Sequence, residues 1–497
     1  MWYLLLIPPL LISSQLSAED RYSVRFDDKI SKVRVKACFD DRAPQQLHRH
    51  EKSERYTDWI RVSGRELKTP GSGTRVRLPT MESDECVEWQ VDLAAAVNSR
   101  DRRLALESEG TLLSDANLWF WRDDERREIR VVVELPAGHS ISVPWKPLPS
   151  QPGQQNFRAV PTPASWSSRI AVGKFKVHGI QAGGTELRLA VIGQTRTGRD
   201  ELFRRWIQEA ARSVSSVIGR FPQPDAQILV VPAGPQREPV PWAHVLRGGG
   251  PAAEFYVDQT RSLDELSRDW TATHEFSHMF LPYVSSRDRW LSEGLASYYQ
   301  NVLRARDGRL TEQEAWRKLE SGFERGRRAT RSGSLAQATR SGWGSIMSVY
   351  WSGAAMMLKA DSRLRALSSG SQSLDTALKS LETCCMDPGR SWRARDLLEE
   401  LDRLTGYTVF SELYDSHVPD DQFPDLTQTY VKLGIVPEKG SITIEQNAPW
   451  EIIRISIMRG YSSRKSTTPV SSEYSAPTIS KPSSSDRFLR ISEPFFN

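Results

Sequence analysis

The stretch Thr273-His274-Glu275-Phe276-Ser277-His278 sets two imidazoles four residues apart, with a carboxylate directly after the first. On a helix, positions i and i+4 share a face, so both rings can reach one tetrahedral metal ion. Glu275 projects beside them, close enough to a metal-bound water to take its proton. Glu293 follows after 14 intervening residues, in Arg289-Trp290-Leu291-Ser292-Glu293-Gly294-Leu295-Ala296, and offers a third ligand. Two imidazoles and one carboxylate leave a fourth position open for water, as metal-assisted hydrolysis requires. This N/O donor set favours zinc, one Zn2+ per chain. The chain holds only eight His, so the pattern would arise by chance in about one such chain in a hundred. No Cys pair has the spacing of a zinc site.

The elements that must position these groups can be read from periodicity. Ser262-x-x-Glu265 is a capping box at a helix start. Leu266, Trp270, His274 and His278 then form one i, i+4 stripe, which predicts an inward-facing helix that Pro282 stops. A second helix is expected from near Trp290, with Glu293 in its first turn. It can fold back over the short loop at 281–289. Ser297, four residues after Glu293, is a candidate to orient a ligand. Upstream, Leu202, Phe203, Trp206, Ile207, Ala210, Val214, Val217 and Ile218 recur at helical spacing before Gly219, and 226–231 reads as a buried strand. A strand pair at about 170–180 and 186–193 precedes that helix. Residues from about 262 to 415 read as mostly helical, with a further capping box at Thr311-x-x-Glu314.

The first third differs. Short alternating runs at 32–37, 74–78 and 128–134 are separated by Pro, Gly, Asn and Asp, which predicts an antiparallel β-sandwich. A Pro- and Gln-rich stretch at 147–163 reads as a linker. Residues 1–18 form an apolar run ending in Ser-Leu-Ser-Ala, the pattern of a signal peptide, although no Lys or Arg precedes the run. With two prolines and about 12 core apolar residues it is short of a membrane span. The expectation is export to the periplasm or the extracellular space. Export permits disulfides, so Cys38 and Cys86 could pair; adjacent Cys384 and Cys385 would form a strained bond, and free thiols are the alternative. The segment 460–497 is dominated by Ser, Thr and Pro and reads as disordered. The expected organisation is α+β and multidomain: leader 1–18, sandwich 19–165, catalytic domain 166–310, helical domain 311–459 and tail 460–497. At 497 residues, 38% hydrophobic and 26% charged, the chain is neither a multi-span membrane protein nor wholly disordered. A net charge of +5 over this length is too weak to argue for nucleic acid.

With these residues in place, the sequence resembles a known family. His-Glu-Phe-Ser-His followed by Trp-Leu-Ser-Glu-Gly-Leu-Ala-Ser-Tyr-Tyr looks like the gluzincin metallopeptidases, most of all the glycyl aminopeptidase family, with aminopeptidase N and the thermolysin-like peptidases more distant. The resemblance covers roughly 170–455. It implies a β-sandwich before a thermolysin-like catalytic domain (a small sheet plus the zinc helix), with helices after it. It implies zinc on His274, His278 and Glu293, and Glu275 as general base and then acid. Tyr350-Trp351-Ser352-Gly353 is similar to the family's Tyr-x-Lys-Gly, so Tyr350 would donate to the developing oxyanion. Aminopeptidases of the clan carry a Gly-rich strand with a Glu that pairs with the substrate amine. Its counterpart here is Gly248, Gly249, Gly250 and the displaced Glu254. The implied function is a secreted zinc metallopeptidase acting on peptides or proteins, with aminopeptidase action among its possibilities. The alternatives are a binding or scaffold protein on the same fold and a zinc hydrolase of a non-peptide bond.

Overall fold

Period-two burial builds the first part of the chain. In Asp20–Phe26 and Lys32–Cys38 buried residues alternate with exposed or half-buried ones, so one face of each strand turns to a core. The computed structural model describes residues 19–460, apart from 41, 68–72, 83–84, 125–126, 152, 194–197, 332 and 342–344. The expected leader, and the expected tail beyond residue 460, lie outside the described residues. An eight-stranded sheet has Asp20–Phe26 and Lys32–Cys38 at its centre, flanked by Ile129–Glu134 and Cys86–Asp92. A four-stranded sheet runs Ser140–Ser142, Arg169–Gly173, Thr111–Asp115, Ala105–Ser108. The two share one core, in which Val24, Val35, Trp89 and Val131 of the first meet Leu112, Ile141, Ile170 and Val172 of the second. Trp89 stacks on Trp121 at 4.7 Å.

Three expectations are corrected here. The stretch at 147–163, expected as a linker, supplies the strands Lys146–Leu148 and Gln154–Ala159 of the larger sheet, the second paired with Ile129–Glu134. The larger sheet is mixed, because Asp20–Phe26 and Ile129–Glu134 pair in parallel. The strand Arg169–Gly173 belongs to the first unit, paired with Thr111–Asp115 and Ser140–Ser142, so the chain does not leave the β-rich domain at 165. Both cysteine pairs are disulfides: Cys38–Cys86 joins residues opposite each other in register, and Cys384–Cys385 joins neighbours.

The next unit is a five-stranded sheet in the order Val177–Ala182, Thr185–Val191, Gln227–Ala233, Ala252–Asp258, Trp242–Leu246. The middle three run parallel, and both edges are antiparallel to their neighbours. On one face lies the helix Arg199–Ser215, which buries Phe203, Trp206, Ile207, Ala210 and Val214, the stripe its spacing predicts. On the other face, Ala190, Ile192, Leu229 and Val231 meet Leu106, Leu113 and Ala171 of the four-stranded sheet. Helices then dominate from Arg289 to Arg459, interrupted by the hairpin Ile435–Glu438 and Ser441–Ile444. Among the described residues, no helix is long and apolar enough to cross a membrane.

Candidate metal centre

The expected single helix is two. Leu263–Arg268 opens with the Ser262–Glu265 capping box, then ends as Asp269 turns extended (φ −66°, ψ 147°). Asp269 accepts a hydrogen bond from the Thr271 N–H, and a new helix runs Thr271–Ser277, closing in a 3-10 turn at His278–Phe280. Phe276 fixes this helix to the sheet, edge-on to Phe221 and Phe255 at 5.2 and 5.6 Å; such pairs contribute about 0.5–1.5 kcal/mol beyond area burial. Because of the break, Leu266 is buried but Trp270 is 42% exposed, not in the core as the stripe predicts.

Glu293 comes from the helix Arg289–Arg306, which starts one residue before Trp290, so Glu293 is its fifth residue, at the end of the first turn. Its Oε2 lies 3.3 Å from His274 Nε2 and 3.5 Å from His278 Nε2. One ligand atom from each of the three residues falls within 4.8 Å of the others. The second ring nitrogens are also engaged. His274 Nδ1 lies 2.8 Å from Gln300 Oε1, and His278 Nδ1 lies 2.8 Å from Ser292 Oγ. An amide oxygen only accepts, so His274 Nδ1 carries a proton and donates to Gln300, which turns Nε2 toward Glu293 as the atom that can ligate once it gives up its own proton. Ser292 and Gln300 are absent from the sequence reading, which offered Ser297, a buried residue of the same helix. The available signal was the helical repeat: positions 293 and 300 are seven apart and share a face.

The electrostatics suit a cation. Burial alone would raise the Glu293 carboxyl, but the His278 charge and hydrogen bonds from both imidazoles outweigh it and hold the group well below the carboxylate range. Burial would lower His274, yet its contacts with Glu293 and the nearby Glu275 charge raise it. Two Nε2 atoms aimed at one point, a dissociated carboxylate and tethered outer nitrogens fit a zinc ion, which would displace the Nε2 protons. Glu275 is buried on the same helix, and its charge is felt at both His274 and Tyr350. Tyr350, on the helix Ile346–Leu367, lies beside Glu293 and Glu275, whose charges it feels, and nearly parallel to the His274 ring at 6.1 Å. Burial, with the Glu293 and Glu275 charges, pushes its hydroxyl well above 10, so it stays a donor.

The expected substrate strand is placed elsewhere. A Cβ on Gly248 would lie 2.4 Å from the Trp166 carbonyl oxygen, and one on Gly250 would lie 2.2 Å from that of Pro144. Gly249 likewise abuts the Trp145 indole. These glycines permit close approach to the β-rich domain. Glu254 sits on the strand Ala252–Asp258, where Phe255 faces the metal helix; by strand alternation Glu254 faces the opposite side. There its buried carboxylate pairs with Arg169 at 3.4 Å and His244 at 3.0 Å. It therefore does not anchor a substrate amine beside the metal ligands.

No protein-family model matches the chain, and no curated protein matches it in sequence. The fold is that of the M1 zinc metallopeptidases. An aminopeptidase N family protein from Idiomarina loihiensis superposes with a TM-score of 0.65 at 14% identity, over 84% of this chain and 79% of the other. Yeast LTA4 hydrolase in complex with bestatin gives 0.54 at 12% identity, over 82% and 68%. An M1 zinc metallopeptidase mutant from Deinococcus radiodurans, bound to a Tyr-Ser-Ala substrate, gives 0.53 at 15%, over 82% and 94%.

Proposed function

We propose that this chain is an exported zinc metallopeptidase that hydrolyses peptide bonds. The observation that carries the reading is the convergence of two imidazole Nε2 atoms on one Glu293 oxygen, with both Nδ1 atoms tied behind them. Zinc held there would polarise the scissile carbonyl and lower the pKa of a water in the open position. Glu275 takes the proton of the attacking water and passes it to the leaving amine nitrogen. Tyr350 Oη donates a hydrogen bond to the oxygen on which charge develops. The edge strand Trp242–Leu246 pairs on one side with Ala252–Asp258; its outer edge can take an extended substrate backbone. The two disulfides and the apolar leader at 1–18 support export.

Metal analysis and a mixed peptide library with mass-spectrometric readout test the proposal. We expect one zinc per chain, with cleavage abolished by a chelator and restored by Zn2+. Glu275→Gln should keep zinc and lose about 10²–10⁴-fold in rate. The same library distinguishes removal of N-terminal residues from internal cuts, a preference that Glu254, committed to Arg169 and His244, does not set. The same spectra should show an exported chain starting at Glu19. Full hydrolysis by Glu275→Gln would refute the mechanism, and bound zinc without cleavage of any peptide would favour a binding protein.

A further inference from the structure

Trp270 is an exposed indole where the helical stripe predicts a core residue. Its backbone is already helical (φ −88°, ψ −20°), so it continues the register into His274 and His278 and shares their face. Its ring centre lies 5.2 Å from that of His274, at 88°. Tyr350 lies nearly parallel to the same imidazole. A large apolar surface therefore stands on the metal-facing side of the helix, and folding leaves it 42% exposed.

We propose that Trp270 is a specificity-determining wall of the site, selecting peptides with a large apolar or aromatic side chain on a residue flanking the scissile bond. The reach follows from geometry. An extended peptide advances about 3.3 Å per residue. A wall 5.2 Å from the ring of a metal ligand meets the side chains next to the reacting carbonyl, not those several residues away. An indole face offers offset or edge-on packing to an aromatic side chain and little to glycine. The inference rests on the metallopeptidase reading, since a peptide must lie across His274 and His278 for the wall to touch it.

The test measures binding, so it does not depend on turnover. Zinc-loaded Glu275→Gln protein is titrated calorimetrically with hydroxamates carrying Phe or Gly on either side of the metal-binding group. We expect one Phe compound to bind more tightly than its Gly counterpart by about 10–200-fold. Trp270→Ala should remove most of that ratio, leaving glycine affinity and zinc content unchanged, and Trp270→Phe should restore much of it. In the active chain, the same substitution should raise KM for bulky substrates more than it lowers kcat. A ratio unchanged by Trp270→Ala, or equal losses for Phe and Gly ligands, overturns the proposal and leaves the metallopeptidase reading standing. Absence of bound zinc, with no hydroxamate bound, overturns both.

Discussion

Two polar side chains behind the imidazoles set how firmly a metal can be held. Gln300 fixes the His274 tautomer, and Ser292 holds His278 Nδ1. Removing such an outer partner typically costs about 10–100-fold in metal affinity. Gln300→Ala should therefore weaken zinc binding by that factor in competition with a chromophoric chelator, whereas Gln300→Glu, which keeps an acceptor, should retain most of it. Equal affinity for both variants and the parent would show that the contact does not orient the ring. The two histidine ligands were legible because His274 and His278 are four residues apart on a helix, where spacing alone fixes a shared face, with Glu275 between them. Gln300 was not, because its role depends on how a second helix docks. Glu254 misled for a related reason. A glutamate near three glycines reads the same from either face of a strand, and only the sheet decides which side it serves.

The helices that carry Glu293 and Tyr350, Arg289–Arg306 and Ile346–Leu367, lock against one another through glycine. Gly294 follows Glu293 directly, and Gly353 lies three residues after Tyr350. A Cβ on Gly294 would lie 2.4 Å from the Gly353 backbone, and one on Gly353 would lie 2.1 Å from the Trp290 carbonyl oxygen. The two helices thus cross at backbone contact, which brings the Tyr350 hydroxyl to the Glu293 carboxylate. In an isolated helix, Gly→Ala gains about 1 kcal/mol. At this crossing overpacking costs about 1–3 kcal/mol, and the obstructing atoms are backbone that cannot turn aside. Gly294→Ala should therefore lower stability in urea and also weaken zinc binding, since Glu293 must move. A variant as stable as the parent with parental zinc affinity would refute the crossing's role. Periodicity found most of these elements, including the Arg199–Ser215 helix and the Ser262–Glu265 and Thr311–Glu314 capping boxes. It could not find the break at Asp269, because Leu266 and Trp270 keep helical spacing across an extended residue.

Across the whole molecule, the β-rich domain and the sheet beneath the metal helix meet through a buried charge cluster as well as an apolar layer. The domain boundary expected at 165 failed because Arg169–Gly173, a short apolar strand, pairs with residues more than fifty positions earlier. No local pattern announces that pairing. Its first residue, Arg169, reaches across to Glu254. Burial would raise the Glu254 carboxyl, but the Arg169 charge and the His244 contact outweigh it and lower it below its ordinary value of 4.5. A group depressed in the folded state contributes stability that is present above its unfolded pKa and lost as pH falls through the folded one. Arg169→Met leaves the carboxylate buried without its main partner, at a cost of about 3–5 kcal/mol. The Glu254 pKa in the variant then rises above the unfolded value, so protonation relieves the penalty. Urea unfolding should show a gap between parent and variant that is widest near neutral pH and narrows as the medium is acidified toward pH 5 and below. A gap that is constant with pH would mean that Arg169 acts through packing alone, and that the carboxylate it covers does not join the two domains electrostatically.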